Sequence, residues 1–278
     1  SEYPLVSIIL PTYNQAEYIE ESIESILSQT YDRFELIIVN DGSTDETGDK
    51  LKLYKSHKKI KIFEQSNTGL PNALNRGFRE ASGELFTWTS SDNVLKEDAL
   101  KILVEEIHKN PEIGLVFGDF EIIDSSGNQI DSDNNWRFYD RRLKNPSHVK
   151  LTEAKICDKH VPINYIGPYF LYRSELSKML DRYADVPGIE DWDYWARMQY
   201  ITNFQYVESV SPLYKYRIHQ KSMSYKISIT DDFMRRIKLC LEISHARQKE
   251  KTYEIKLSPD LTEKIVDKFI LKAKKNAN

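Results

Sequence analysis

Residues 5–45 read LVSIILPTYNQAEYIEESIESILSQTYDRFELIIVNDGSTD, and this stretch decides the fold. Val6–Leu10 and Phe34–Val39 are short runs dominated by β-branched and other apolar residues. Between them Tyr18, Ile19, Ser22, Ile23, Ile26 and Leu27 recur at helical spacing. An amphipathic helix joining two such strands is a βαβ unit, whose parallel strands are covered on both faces and so lose the polar alternation of a half-exposed sheet. The pattern continues outward. Thr44 and Asp45 can open a helix running to about Lys55, because a side-chain oxygen there accepts from the free amides of the first turn. Strand Ile60–Phe63, helix Pro71–Glu80 and strand Leu85–Thr89 follow. Ligands of such sheets collect beyond the carboxyl ends of the strands. Those ends carry PTYN after the first strand, NDGS after the second and SSDN after the fourth.

Beyond residue 110 the alternation fades. A hairpin turn is expected at Ser125–Asn128, followed by a polar, aromatic loop over Asp131–Asn145. This half suits a variable binding surface better than further sheet. Tyr169–Tyr172 and Leu213–Tyr216 are expected late strands, with a helix near Asp191–Gln199. From about Thr230 the pattern is helical. Ser258 as N-cap, Pro259 and Asp260 open a last helix whose Leu261, Ile265, Val266, Phe269 and Ile270 share one apolar face.

The 278 residues, 40% hydrophobic and 29% charged, have the makeup of a globular protein able to bury a sizeable core. A net charge of -4 excludes a mainly electrostatic nucleic-acid binder, which needs a cationic surface. No apolar stretch approaches the roughly 18 residues of a membrane-spanning helix. Cys157 and Cys240 fit neither a disulfide framework nor a CxxC metal cluster and are read as reduced. The opening SEYPLVSIILP has no basic leader, so the expected compartment is the cytoplasm. From Arg247 onward nine Lys or Arg face five Asp or Glu. That basic tail is either a solvated helix face or a peripheral contact with the anionic inner face of a membrane.

Four places could carry chemistry. Asp41 leaves the second strand just before Gly42-Ser43; it either accepts from a ribose hydroxyl or a base N–H, or caps a turn. Asp92 sits in Thr89–Asn93, TSSDN, beside two serines and an amide. Hard divalent cations take such oxygen ligands and complete their shells with water and phosphate, although an Asp-Asn loop alone also reads as a turn. Glu190, Asp191 and Asp193 surround Trp192 in GIEDWDYWARM. Enclosure and like charge would raise one carboxyl toward general-base duty; the alternative is an acidic helix start that complements the dipole. His219, in YRIHQKSMS, offers an imidazole to a metal or phosphate, and its flanking Arg217 and Lys221 suggest an anion-facing loop.

In order along the chain, VSIILPTYNQAEYIEESIESILSQTY, FELIIVNDGSTDET, NTGLPNALNRG, ASGELFTWTSSDN and GIEDWDYWAR resemble the inverting family-two glycosyltransferases with the GT-A fold. The resemblance covers roughly residues 5–220 and implies an α/β, Rossmann-like GT-A domain: a mostly parallel central sheet flanked by helices. Its domain would span 1–225, with a nucleotide-sugar half at 1–110, an acceptor half at 111–225, and a helical extension at 226–278. The implied donor is a nucleoside diphosphate sugar, usually UDP-linked, used with Mn or Mg; the implied acceptor is a glycan, lipid-linked or protein-linked hydroxyl. By the same resemblance Pro11, Thr12, Tyr13, Asn14, Asp41, Asn67, Gly69, Ser91 and Asp92 line the nucleotide. Asp92 and His219 fall on metal-side positions, Asp191 on the catalytic base of the ED motif, and Glu190, Trp192 and Gly167 beside acceptor or sugar. Asn164–Pro168 and Asp131–Asn145 are further acceptor-side candidates, or plain loops.

Two departures from the family pattern matter. The metal motif usually holds two carboxylates, whereas Ser90 and Ser91 precede Asp92 and Asn93 follows it. Halving the charge implies weak metal binding completed by the diphosphate. Leu74 stands where many members carry Arg. Two rival readings follow: a non-catalytic member that binds a nucleotide sugar or a partner, and a nucleotidyltransferase. The latter would show a glycine-rich, basic phosphate loop after the first strand, and PTYNQAEY has neither Gly nor Lys.

Overall fold

The structure, a computed structural model, describes residues 3–130, 148–149, 166–185, 188, 190–199 and 201–222. β1 (Val6–Thr12), β2 (Phe34–Asp41), β3 (Ile60–Gln65) and β4 (Leu85–Trp88) form the parallel part of a seven-stranded sheet, in spatial order β4, β1, β2, β3. Every residue of β1 and β2 is buried, as parallel strands covered on both faces require. The chain steps outward from β1 through α1 (Ile19–Leu27) and α2 (Thr47–Lys52), then returns past β1 to β4 through α3 (Leu70–Arg79). Right-handed crossovers running in opposite directions put α1 and α2 on one face and α3 on the other. Gly77 lets α3 lie close on β1: a Cβ there would stand 2.3 Å from Ile9 Cγ2. The reversal of strand order between β1 and β4 opens a crevice at their carboxyl ends, the ligand site of such sheets.

The second half supplies more sheet than its sequence suggests, beyond the late strands expected at Tyr169–Tyr172 and Leu213–Tyr216. β6 (Ile113–Gly118), β9 (Phe170–Arg173) and β10 (Asn203–Val207) extend the main sheet in the order β10, β6, β9, β4, with β9 antiparallel to β6 and β4. β5 (Val94–Leu95), β7 (Phe120–Ile123), β8 (His148–Val149) and β11 (Tyr214–Arg217) form a second sheet. β9 and β11 are the late strands expected from the sequence, whereas β5, β6, β7, β8 and β10 are short and pair with distant partners, so no local period announces them. α4 (Ala99–Lys109), α5 (Ser174–Leu180) and α6 (Glu190–Met198) complete the layers. The mostly parallel α/β sheet flanked by helices stands as expected.

Local differences have local causes. α2 begins at Thr47 rather than Thr44, because the N–H groups of Thr44 and Asp45 are donated to Asn14 Oδ1 and Asp45 Oδ1 instead accepts the Thr47 N–H. The hairpin turn forms where expected: Asp124 Oδ1 accepts from the amides of Ser126 and Asn128, and Ile123 bridges to Gln129. The Asp131–Asn145 loop, Asn164, Cys157, Cys240, the helices from Thr230 and the basic tail lie outside the described residues. Among the described residues no helix is long and apolar enough to cross a membrane.

Candidate active site

The loops leaving β1, β2 and β3 are bound into one rim at the carboxyl edge. Asn14 adopts a left-handed φ of 53°, which its short polar side chain tolerates. Its Oδ1 accepts from Thr44 N at 2.7 Å, while its own N–H donates to Ser43 Oγ and the next amide, Gln15, to Thr47 Oγ1. Asp41 is buried, and its carboxylate accepts from Gln65 Nε2 at 2.7 Å, Thr68 N at 2.9 Å and Gly69 N at 2.9 Å. Asp41 therefore organises the entry to α3. Gly42, at φ 73°, is required here, because a Cβ would meet Asn67 N at 2.6 Å. Over this rim Tyr13 is 46% exposed, and the buried Thr12 Oγ1 has no hydrogen-bond partner among the described residues. Pro11 lies within β1, in register with Val39.

Across the crevice, the β4–β5 loop meets the end of β11. Asp92 Oδ2 lies 2.9 Å from His219 Nε2, and both side chains are largely buried. His219 packs on Tyr18 of the α1 entry at 4.8 Å between ring centroids. Thr89 Oγ1 and Tyr214 OH are 2.7 Å apart beneath the loop. Asn93, buried like Ser91, spends its Oδ1 on the Arg217 N–H at 2.8 Å. The oxygen that a second carboxylate would supply at this position thus points into the protein. Arg217 corrects the anion-facing reading: it is 2% exposed, its Nε donates to Asp92 O at 2.8 Å, and its Nη2 pairs with Glu21 at 2.5 Å. Lys221 alone of the two flanking cations is exposed.

Asp92 and His219 are the two side chains here that could offer donors to a cation. Among the described residues no group of three or more His, Cys, Asp or Glu side chains could hold a metal. Two protein donors, one oxygen and one nitrogen, fit a cation that draws its remaining ligands from donor phosphates and water.

The acidic cluster of α6 divides on folding. Glu190 turns back at the helix start, its Oε2 accepting the Gly188 N–H at 2.6 Å. Asp193 pairs with Arg197 at 2.8 Å, and that guanidinium also donates to Leu180 O and Arg182 O. Asp191 is half-buried in the first turn, its Oδ1 accepting the Trp192 N–H at 2.8 Å, and Trp192 is half-buried beside it. The buried rings of α6 seat it on the sheet: Trp195 meets Phe170 edge-on at 4.5 Å, and Tyr194 stacks on Tyr183 at 4.0 Å. Burial, with added repulsion from Tyr194 and Asp191, pushes the Tyr183 hydroxyl well above its ordinary value. Gly167 is buried in the turn before β9 at φ 68°. Sequence reading overlooked Tyr18, Glu21 and Asn75 as supports of this site; their partners are distant in the chain, and only a polar residue amid helical apolar spacing hints at them. It also overlooked Asp119, fully buried after β6, whose two carboxylate oxygens each lie 2.9 Å from Tyr206 OH.

Comparison with known proteins agrees with this geometry. The model of "Glycosyl transferase family 2" matches residues 7–180, more than half of the 278-residue chain. An uncharacterized glycosyltransferase of Haemophilus influenzae is 33% identical over 233 residues, covering 80% of this chain and 68% of that protein. Chondroitin synthase of Escherichia coli is 28% identical over 225 residues, covering 80% of this chain and 30% of that protein. An uncharacterized glycosyltransferase of Rickettsia felis is 30% identical over 81% of this chain, which spans 36% of its length. The chain thus spans about a third of the length of several relatives that it matches. Among solved structures, S. aureus TarS 1-349 in complex with UDP-GlcNAc superposes with a TM-score of 0.65 at 19% identity, covering 95% of this chain and 71% of that one. The mannosyltransferase PcManGT from Pyrobaculum calidifontis, in complex with GDP-Man and Mn2+, gives 0.58 at 16% identity, covering 100% and 82%. The switch-point crevice, the ordered loops around it and the family match converge: this chain belongs to glycosyl transferase family 2 and carries a GT-A fold.

Proposed function

We propose that the chain transfers a sugar from a nucleoside diphosphate donor, UDP-linked, to a hydroxyl of a glycan or lipid-linked acceptor, with inversion at the anomeric carbon. The observation that carries this reading is the Asp92–His219 pair, 2.9 Å apart and largely buried at the switch point of a family-two chain. The UDP and UDP-GlcNAc complexes of the similar TarS fold support the donor class.

Asp92 and His219 would hold a Mn or Mg ion, which when bound supplies positive charge to offset the leaving diphosphate. The rim from Thr12 to Asn14 and from Asp41 to Gly69 holds the nucleoside, and the buried Thr12 hydroxyl, without a partner among the described residues, gains one. Asp191 accepts the acceptor hydroxyl's proton as that oxygen forms its bond to the anomeric carbon. The bond from that carbon to the diphosphate breaks on the opposite face, and its electron pair leaves with the diphosphate. One displacement inverts the centre, so an α-linked donor sugar becomes a β-glycoside.

A thermal-shift panel of nucleoside diphosphate sugars, each with Mn2+ and with EDTA, tests the donor reading; stabilisation by none of them would sink it. Asp191→Asn separates catalysis from binding. Donor binding should persist while transfer drops by at least about a hundredfold, the usual range for a general base. Near wild-type transfer in that variant would overturn Asp191 as the base, and donor binding without any transfer by the wild type would favour a non-catalytic member.

A further inference from the structure

The two cation donors come from chain segments 127 residues apart, so their spacing depends on whatever rivets the β4–β5 loop to the end of β11. Arg217 makes both joints. Its backbone N–H donates to Asn93 Oδ1 and its Nε to the Asp92 carbonyl, each at 2.8 Å. Thus the residues flanking the Asp92 side chain are tied to a point two residues before His219. The guanidinium is itself anchored on two further elements. Nη1 donates to the carbonyls of Asp124 and Ser125 in the β7 hairpin, at 3.2 and 3.1 Å, and Nη2 meets Glu21 of α1. Its Cζ lies over Tyr18, 4.7 Å from the ring centroid, and the same ring packs on His219.

We infer that Arg217 is the positioning residue of the two-donor site: it sets the spacing of Asp92 and His219, and so the affinity for a divalent cation shared with the donor diphosphate. The inference rests on the metal-assisted reading above. A site with a full set of carboxylates tolerates an imprecise ligand; a site with two donors has no spare. Arg suits the task because its planar fork donates in several fixed directions at once, which a lysine ammonium on a flexible stem cannot reproduce. Four of its five N–H groups are engaged in hydrogen bonds and the side chain is 1% exposed, so it acts on the donor through Asp92 and His219 rather than by touching phosphate.

The test is calorimetric titration of UDP into wild type, Arg217→Lys and Glu21→Gln, each with Mn2+ and with EDTA, alongside Mn2+ binding read by electron paramagnetic resonance. The quantity is the gain in UDP affinity that Mn2+ confers. In Arg217→Lys that gain should fall by about tenfold, the usual effect of losing a group that orients a metal ligand, with UDP binding in EDTA little changed. Glu21→Gln, whose site is 55% exposed at the side chain and outside the core, should fold normally and lose about threefold, since it removes one partly solvated ion pair. An unchanged gain in folded Arg217→Lys overturns the inference, and if that variant fails to fold, an unchanged gain in Glu21→Gln does so. Equal losses with and without Mn2+ would also overturn it, because they would mark Arg217 as a general structural prop. If wild type binds UDP but no better with Mn2+, the metal-assisted reading fails first.

Discussion

The side-chain amide of Asn75, on α3, closes two hydrogen bonds on the backbone of Tyr183: Nδ2 donates to the carbonyl and Oδ1 accepts the N–H, each at 2.8 Å. Tyr183 precedes α6, stacks on Phe78 of α3 at 5.6 Å and on Tyr194 of α6 at 4.0 Å, and lies in the field of Asp191. The helix whose entry Asp41 organises is thereby tied to the segment that leads to Asp191.

Asn75→Ala should therefore act on both stability and transfer. Losing two partly buried hydrogen bonds costs about 1–3 kcal/mol, read from urea denaturation. Transfer kcat should fall with donor KM nearly unchanged, since the nucleotide rim is untouched. A variant that raises KM alone would show that the clamp serves the nucleotide side instead.

Asn14 combines a left-handed backbone with a bond to the Thr44 N–H. Asn14→Ala loses the bond and strains the backbone, at about 1–2 kcal/mol for the conformation alone. Asn14→Gly loses only the bond, and Asn14→Asp keeps both properties. Melting temperature and UDP affinity should rank Asp above Gly above Ala; an Ala variant equal to Gly would remove φ from the explanation.

Glu35 is buried near the amino end of β2. Burial by itself would raise its carboxyl, yet the Lys61 ion pair and hydrogen bonds from Ser7 and Ser82 hold it below the ordinary 4.5. A depressed folded value gives stability that is present above the unfolded value and lost as pH falls through the folded one. Glu35→Gln should be less stable than wild type near neutral pH, and the gap should narrow below about pH 4.5. Melting curves across that range check this; a gap that stays constant would assign the effect to shape rather than charge.

Asp92→Asn keeps a hydrogen-bonding partner for His219 but removes the charge. Transfer at limiting Mn2+ should fall by about a hundredfold or more, with partial recovery at high Mn2+. His219→Gln should show a smaller loss and a similar shift of the Mn2+ requirement. Transfer that ignores Mn2+ in wild type and variants alike would exclude this pair from cation binding.

The long apolar runs of β1 and β2 and the helical period of α1 determined the parallel α/β core by themselves, because each carries its own burial pattern in consecutive residues. The carboxyl-edge placement of Tyr13, Asp41 and Asp92 followed from those strands. Tertiary structure alone decided the rest. β6 and β10 joined the main sheet although strands of five and six residues with remote partners leave no local period, and the place of the expected β9 between β6 and β4 was likewise set by the fold. Asp41 and Asn14 became loop fasteners, Glu190 and Asp193 are buried against Gly188 and Arg197, and Asp191 is the half-buried acid of α6. Arg217 went inward to backbone carbonyls and Glu21, and Asp92 met His219 across 127 residues. A side chain's type limits what it can bind, but which partner it meets is set by distances that exist only once the sheet has formed.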